Sequence, residues 1–454
     1  MTTKKDRKKL ALYVHIPFCV KKCFYCDFLS GPSTNQEKKD YVNALIKEIR
    51  SYESQERWQQ YQVTSIFIGG GTPSSIDATE IERILATICE VFQVSTNDIS
   101  KENEMNQDEI EITIEINPGT TTKEKLECYK KAGINRISFG LQSTNNEELK
   151  SLGRIHSYEE FVLNYELARK VGFENINIDL MTSLPGQTPE KYMESLEKIV
   201  ALNPEHISAY SLIIEEGTPF YELYGESEHC KESVNDRKVK TCQETSDSCV
   251  DDWCTNDSSE QDSNLLHTGR VLEAYRQNKG LTLPSEEEDR YMYELTKEFL
   301  HQHGYERYEI SNYAKIGREC KHNLAYWRRQ DYIGFGCGAS SLFEEVRFKN
   351  LEATEDYIHM VNHMKDRKEL RLELQELSEE EQMEEFMFLG FRVMEGIDQT
   401  VFESYFHRSL DSVYQSVLEK LIKEELIEKH ENRYRLTSRG IDISNYVLSE
   451  FIMD

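Results

Sequence analysis

Along residues 110–116 isoleucine alternates with Glu111, Thr113 and Glu115, and along 175–180 Ile176, Ile178 and Leu180 alternate with Asn175, Asn177 and Asp179. Residues 136–142 repeat the pattern, with Arg136, Ser138 and Gln142 opposite Ile137, Phe139 and Leu141. A period of two marks β-strands whose two faces meet different surroundings. Segments 12–16, 65–69 and 206–213 are likewise rich in Ile, Val, Phe and Tyr, so six strands are predicted. Each ends in turn chemistry, such as Gly69-Gly70-Gly71-Thr72-Pro73 or Asn117-Pro118-Gly119, followed by a Glu/Lys-rich amphipathic stretch. Six βα units in succession predict an α/β fold with a parallel sheet and helices outside it, as in a barrel or partial barrel. If the helices cover the isoleucine face, the inner face is polar. A packed eight-stranded barrel fills its interior with branched apolar residues, so a polar interior points to a ligand-filled cavity. The alternative is the solvent-facing side of an ordinary sheet.

The pattern changes after residue 224. Residues 225–265 read as a flexible acidic insertion, with 11 acids and 4 bases between 226 and 264 and few apolar positions. Periodicity returns at Ser285-Glu286-Glu287-Glu288, an acidic helix start. Residues 266–375 are expected to connect the barrel to a terminal unit at 376–454, read as three helices and a short basic hairpin about 426–436 with Asn432 at its tip. That order resembles a winged helix. Its recognition face is not conspicuously basic, which favours packing or partner contact over DNA binding.

The length of 454 residues allows roughly two to four domains at about 100–200 residues each. A net charge of −28 opposes binding to polyphosphate, so no nucleic-acid partner is expected. No run of about eighteen apolar residues is present and the basic start leads into only a few apolar positions, so a soluble, cytoplasmic chain without a signal peptide is expected. Eleven cysteines, an odd number, argue against a complete disulfide framework and toward metal or redox chemistry for some of them.

The strongest chemical signal is Cys19-Val-Lys-Lys-Cys23-Phe-Tyr-Cys26, directly after the first strand. Three thiolates within eight residues can wrap one compact metal centre. Lys21 and Lys22 would help to stabilise them. Structural zinc would want a fourth Cys or His, with His15 on the preceding strand as the near candidate. An iron–sulfur cluster on three cysteines leaves one iron open to a further ligand. The Gly69-Gly70-Gly71-Thr72-Pro73 turn offers close backbone approach and free N–H groups to the carboxylate or amine of an amino-acid moiety, although a tight βα turn explains it equally well. Glu115, Gln142 and Asp179 stand at or near strand ends, where the functional rim of a βα barrel lies, and Arg154 could pair with a carboxylate. Structural hydrogen bonds are the alternative for each of these taken singly.

This C-x3-C-x2-C loop resembles the signature of the radical S-adenosylmethionine superfamily, and the resemblance implies a partial (β/α)6 TIM-like barrel. It also implies a 4Fe-4S cluster on Cys19, Cys23 and Cys26, with S-adenosylmethionine on the open iron. Tyr13-Val-His-Ile-Pro-Phe-Cys, Ile68-Gly-Gly-Gly-Thr-Pro73, Glu115-Ile-Asn-Pro118, Gly140-Leu-Gln142, Asn177-Ile-Asp-Leu180 and Leu184-Pro-Gly186 are similar to the oxygen-independent coproporphyrinogen III oxidase group. That group's cofactor positions map here to Tyr13, Tyr25, Gly70, Gly71, Thr72, Glu115, Gln142, Arg154 and Asp179.

Two features separate branches of the group. The true oxidases carry a further cysteine two positions after the third ligand, where this chain has Phe28, in Cys26-Asp27-Phe28. The chain also carries His322-Asn323-Leu-Ala-Tyr326-Trp327, which matches the HNxxYW motif of the HemW-type haem chaperones. The resemblance to that branch implies haem binding, delivery to haem-accepting respiratory proteins, and peripheral membrane contact through the acceptor. Physically, His322 is a candidate haem-binding residue and Tyr or Trp can stack on a porphyrin, while a buried His-Asn pair beside an aromatic cluster is the alternative. Cys320 and Cys337 bracket the motif and read better as buried structural thiols than as haem ligands. Cys230, Cys242, Cys249 and Cys254 in the insertion fit no regular zinc spacing.

Overall fold

A computed structural model describes residues 7–53, 56–94, 110–225 and 258–453. The insertion cysteines Cys230, Cys242, Cys249 and Cys254 lie outside the described residues. Six parallel strands run in chain order, β1 (Lys8–Ile16), β2 (Tyr61–Gly70), β3 (Glu111–Ile116), β4 (Arg136–Gln142), β5 (Ile176–Thr182) and β6 (His206–Ser211). Between them lie α1 (Asn35–Arg50), α2 (Ala78–Val91), α3 (Lys123–Lys131), α4 (Asn146–Ser151), α5 (Tyr158–Val171) and α6 (Pro189–Leu202). The sheet stays open, so of the barrel and partial barrel that six successive βα units allow, this is the partial barrel that the resemblance implies.

Local chemistry sets where these helices start and stop. Thr34 with Glu37 and Ser157 with Glu160 form capping boxes at α1 and α5, and Pro189 stands in the first turn of α6. Gly172 ends α5 at φ 99°, a left-handed conformation that costs glycine least. Ile66, Ile68, Ile112, Ile114, Ile137, Ile176 and Ile178 are fully buried against the helices. Each such side chain contributes about 1.5–3 kcal/mol on burial.

The inner face is polar as expected, and its groups are paired across strands. Asn177 donates to Ser138 Oγ at 2.8 Å, and its Oδ1 lies 2.6 Å from His206 Nδ1. The strand register places Ser138, Asn177 and His206 side by side, which makes this girdle possible.

Residues 266–375 do more than connect. After α7 (Pro219–Tyr224), α8 (Ser258–Asn278) and α9 (Glu286–Gln302), the chain adds β7 (Glu306–Arg307) and β8 (Asn312–Ala314) beyond β6. Beyond β1 it adds β9 (Asp331–Phe335), β10 (Ser340–Phe343), β11 (Val346–Asn350) and β12 (Arg371–Glu376), giving one twelve-stranded sheet. β7 and β8 are too short to show a period, whereas β11 (Val346, Phe348 against Arg347, Lys349) and β12 (Leu372, Leu374 against Arg371, Glu373, Gln375) do alternate. Helix α8 starts at Ser258, inside the stretch read as insertion.

Helix α10 (Lys321–Trp327) carries the HNxxYW motif and closes the end of the barrel opposite the cysteine loop. Glu111, at the start of β3, accepts from the N–H groups of Lys321 at 3.1 Å and His322 at 3.2 Å, satisfying donors that a helix start leaves free. After α11 (Thr354–His363), the terminal unit has its own core: α12 (Glu379–Gly390), α13 (Gln399–Phe406) and α14 (Leu410–Lys423), then a small sheet of β13 (Ile397–Asp398), β14 (Ile427–His430) and β15 (Arg433–Leu436). Among the described residues no helix is long and apolar enough to cross a membrane.

Candidate functional site

The loop after β1 is held at both ends. Cys19 N–H donates to Gly31 O at 2.9 Å and Gly31 N–H to Pro17 O at 3.0 Å. In its middle Phe24 is fully buried against Leu152, Met181, Leu184 and Phe220, and its N–H donates to Leu152 O at 3.0 Å. Burying Phe24 leaves its neighbours Cys23, Tyr25 and Cys26 facing a cavity of about 480 Å³ in the barrel. Cys19, Gly70, Gly71, Thr72, Glu115, Gln142, Arg154 and Asp179 line the same cavity.

All three thiols are half-buried and free of disulfides. Arg154 Nη1 donates to Cys23 Sγ at 3.5 Å, and its other terminal nitrogen donates to Gly140 O. Burial, and next the neighbouring Cys23, push the Cys26 thiol up to about 11. A thiolate at Cys26 would therefore gain from a neighbouring metal cation. Among the described residues no three His, Cys, Asp or Glu side chains converge on a single-ion site. The buried Nε atoms of Arg154 and Arg136, unpartnered among the described residues, suit an anionic occupant such as a thiolate-bound cluster.

Opposite the thiols, burial and then the Asp179 charge push Glu115 up to about 8. Burial raises Asp179 as well, although it accepts from Asn177 Nδ2 at 2.7 Å. Two desolvated carboxyls facing one cavity suit an ammonium or ribose hydroxyl partner. Gln142 is held in a left-handed conformation, φ 78°, and its Oε1 accepts from Tyr210 at 2.9 Å.

The glycine turn works differently from its expected role. Gly70 N–H donates to Glu115 Oε2 at 3.1 Å, Gly71 N–H to Ile16 O at 2.9 Å and Thr72 N–H to Phe18 O at 2.8 Å, so none of the three is free for a ligand. Glycine is needed for packing: a Cβ on Gly70 would stand 2.5 Å from the His15 ring and one on Gly69 2.8 Å from Glu115 Oε2. The turn contributes shape and fixes Glu115.

Two expected site residues lie off the cavity. Tyr13 bonds through its hydroxyl to His15 Nδ1 at 3.0 Å and packs on Phe67. His322 is 2% exposed, with Nδ1 2.9 Å from Ser65 Oγ and Nε2 3.0 Å from Tyr326 OH. Both ring nitrogens are spent, and burial with the nearby Arg136 charge drives its pKa down to about 3. As folded, His322 has no nitrogen to offer haem iron. Its neighbour Asn323 reaches the cavity, as do Arg136 and Phe67, which sequence reasoning passed over. Strand parity was the signal for Arg136, since it shares the inner face with Ser138. Cys320 is buried against Glu111, and Cys337 beside Thr354, as expected of structural thiols.

An open βα barrel with three thiols on its first loop defines the radical SAM class, and the Radical SAM superfamily matches residues 13–199. The HemN C-terminal domain matches residues 377–443. Proteins named Heme chaperone HemW are similar along almost the whole chain. That of Bacillus subtilis is 34% identical, covering 97% of this chain and 98% of its own; that of Lactococcus lactis is 32% identical, covering 99% and 98%. The chain belongs to the HemW family. Among solved structures, coproporphyrinogen III oxidase (HemN) from Escherichia coli, a radical SAM enzyme, superposes with a TM-score of 0.71 over 98% of this chain and 91% of its own. Its 21% identity speaks to the fold alone.

Proposed function

We propose that this chain is a haem chaperone, binding haem and delivering it to haem-accepting respiratory proteins, with a 4Fe-4S cluster on Cys19, Cys23 and Cys26 and S-adenosylmethionine in the cavity. The observation that carries this reading is the near full-length similarity to proteins named Heme chaperone HemW. Acceptors embedded in a membrane would bring the chain to that surface without its entering the bilayer.

The residues divide into two tasks. The thiols would hold three irons, and the open iron would take the amino-acid end of S-adenosylmethionine; the bound pair supplies one-electron reduction of the sulfonium. Arg154 holds a positive charge against Cys23 at every accessible pH. Glu115 and Asp179 offer acceptors to the remaining part of the ligand, and Tyr25 walls the cavity beside the thiols.

Oxidative decarboxylation of coproporphyrinogen III is the second reading, favoured by the overall fold it shares with HemN. The sequence Cys26-Asp27-Phe28, without the oxidase branch's further cysteine, weighs against it. Anaerobic assay of the reconstituted protein with reductant, S-adenosylmethionine and coproporphyrinogen separates the two. Haem binding and transfer without protoporphyrinogen formation is the expected result, and substantial turnover would defeat the chaperone reading.

A further inference from the structure

The cysteine loop is gripped from outside the barrel by α8, the helix that follows the acidic stretch. Arg270 Nη2 donates to the carbonyl oxygen of Cys23 at 2.8 Å, and Arg270 Nε is buried with no partner among the described residues. One turn on, Glu273 pairs with Lys21 of the same loop at 2.6 Å. Ala274 is fully buried in the cluster of Phe24 and Leu152, and Asn278 Nδ2 donates to Ser151 O at 2.9 Å. Positions 270, 274 and 278 share one face of a helix, so a single helical stripe carries the contact from the loop to its supporting segment.

Cys23 is thereby flanked by two guanidinium groups, Arg154 at its sulfur and Arg270 at its carbonyl. Arg154 comes from the loop between α4 and α5 and Arg270 from α8. We infer that Arg270 is a positioning residue for the cluster loop and, with Arg154, sets the reduction potential of the cluster that the loop holds. The inference rests on the cluster assignment proposed above. Adding an electron to a cluster adds negative charge, and a fixed, half-buried cation beside one of its ligands stabilises the reduced form more than the oxidised one. Arginine suits this role because it stays charged and its planar fork can hold a carbonyl while still facing the loop. This places a control on the electron-accepting centre in a helix that neither the cysteine motif nor the barrel strands supply.

The test compares wild type, R270K and R270Q after anaerobic reconstitution, by iron content and by a redox titration followed by electron paramagnetic resonance. R270Q is expected to hold iron at a more negative midpoint potential, with R270K close to wild type. A wild-type midpoint in R270Q, or a shift in R270K as large as that in R270Q, overturns the inference. If R270Q retains no iron, R270K decides: full iron at an unshifted midpoint supports the role, and a shifted midpoint overturns it. Failure of the wild-type chain itself to assemble a cluster would instead defeat the cluster assignment, so the two failures are told apart.

Discussion

The imidazole of His322 lies on the ring of Phe67, centroids 5.0 Å apart and planes inclined by 24°, and Phe67 in turn borders the cavity. The histidine of the HNxxYW motif therefore acts on the cavity from behind a wall. Replacing it leaves the Ser65 and Tyr326 hydroxyls without their partner and opens a void at the barrel's closed end. His322→Ala is expected to cost about 2–4 kcal/mol of stability. Haem affinity and cluster iron should stay at wild-type levels in the folded protein. Denaturant unfolding and haem titration check this, and a selective loss of haem binding at full stability would return His322 to the haem site.

Cys23→Ala removes the thiol that Arg154 touches. The remaining two cysteines cannot complete a three-thiolate site, so the brown chromophore and bound iron should be absent after anaerobic reconstitution. Retained cluster absorbance would remove Cys23 from the ligand set.

Arg154→Gln keeps a polar side chain and takes away the buried charge between Cys23 and Gly140. Loss of a charge-assisted hydrogen bond is worth about 1.5–3 kcal/mol, or roughly tenfold to a hundredfold in affinity. S-adenosylmethionine binding, measured by equilibrium dialysis on protein with intact cluster, should weaken on that scale. Unchanged binding would take Arg154 out of the cofactor contacts.

Glu115 gives a pH signature. Its carboxyl is pushed up from 4.5 to about 8 in the fold, so the protonated form is the one folding favours. The stability tied to that form is fully present below about 4.5 and is lost as pH rises through about 8. As pH rises from about 4.5 to about 8, wild type should lose stability relative to Glu115→Gln, and above that range the two profiles should run parallel. Urea unfolding at a series of pH values measures it, and parallel profiles for the two proteins within that range would contradict the assignment.

Arg329 ties the barrel's added strands to the terminal unit. Its side chain is 2% exposed, with Nη2 on Glu345 at 2.6 Å, Nε on Glu385 at 3.1 Å and Nη1 on Tyr405 at 3.1 Å. Truncation takes the arginine from Glu345, which is 35% exposed, while Glu385 keeps Arg347 at 2.6 Å, so a loss of about 1–3 kcal/mol is expected. Arg329→Ala should make the segment joining the two units a preferred site of limited proteolysis, and an unchanged digestion pattern would show that the contact does not hold them.

Much of the site could be read from the chain because strand periodicity is local. Counting residues along the strands places Glu115, Gln142 and Asp179 on one inner face, and the spacing of Cys19, Cys23 and Cys26 puts three thiols on one loop; all of them line the cavity. The glycine turn misled because free N–H groups look alike in sequence whether or not a neighbouring strand takes them up. Ile16 and Phe18, far away in the chain, take two of the three here. Arg270 gave no signal, being one arginine in a polar helix until folding set it on Cys23 O.

The sequence by itself determined the six βα units, the polar interior and the three-thiol loop, since each depends on residues within one strand or one turn. Only the tertiary structure decided that residues 266–375 extend the same sheet at both edges, that α10 closes the barrel with His322 sealed and Asn323 admitted, and that α8 grips the cysteine loop. These outcomes depend on pairing between segments hundreds of positions apart. There, buried donors such as the N–H groups of Lys321 and His322 must find an acceptor, and Glu111 is the one the fold brings to them.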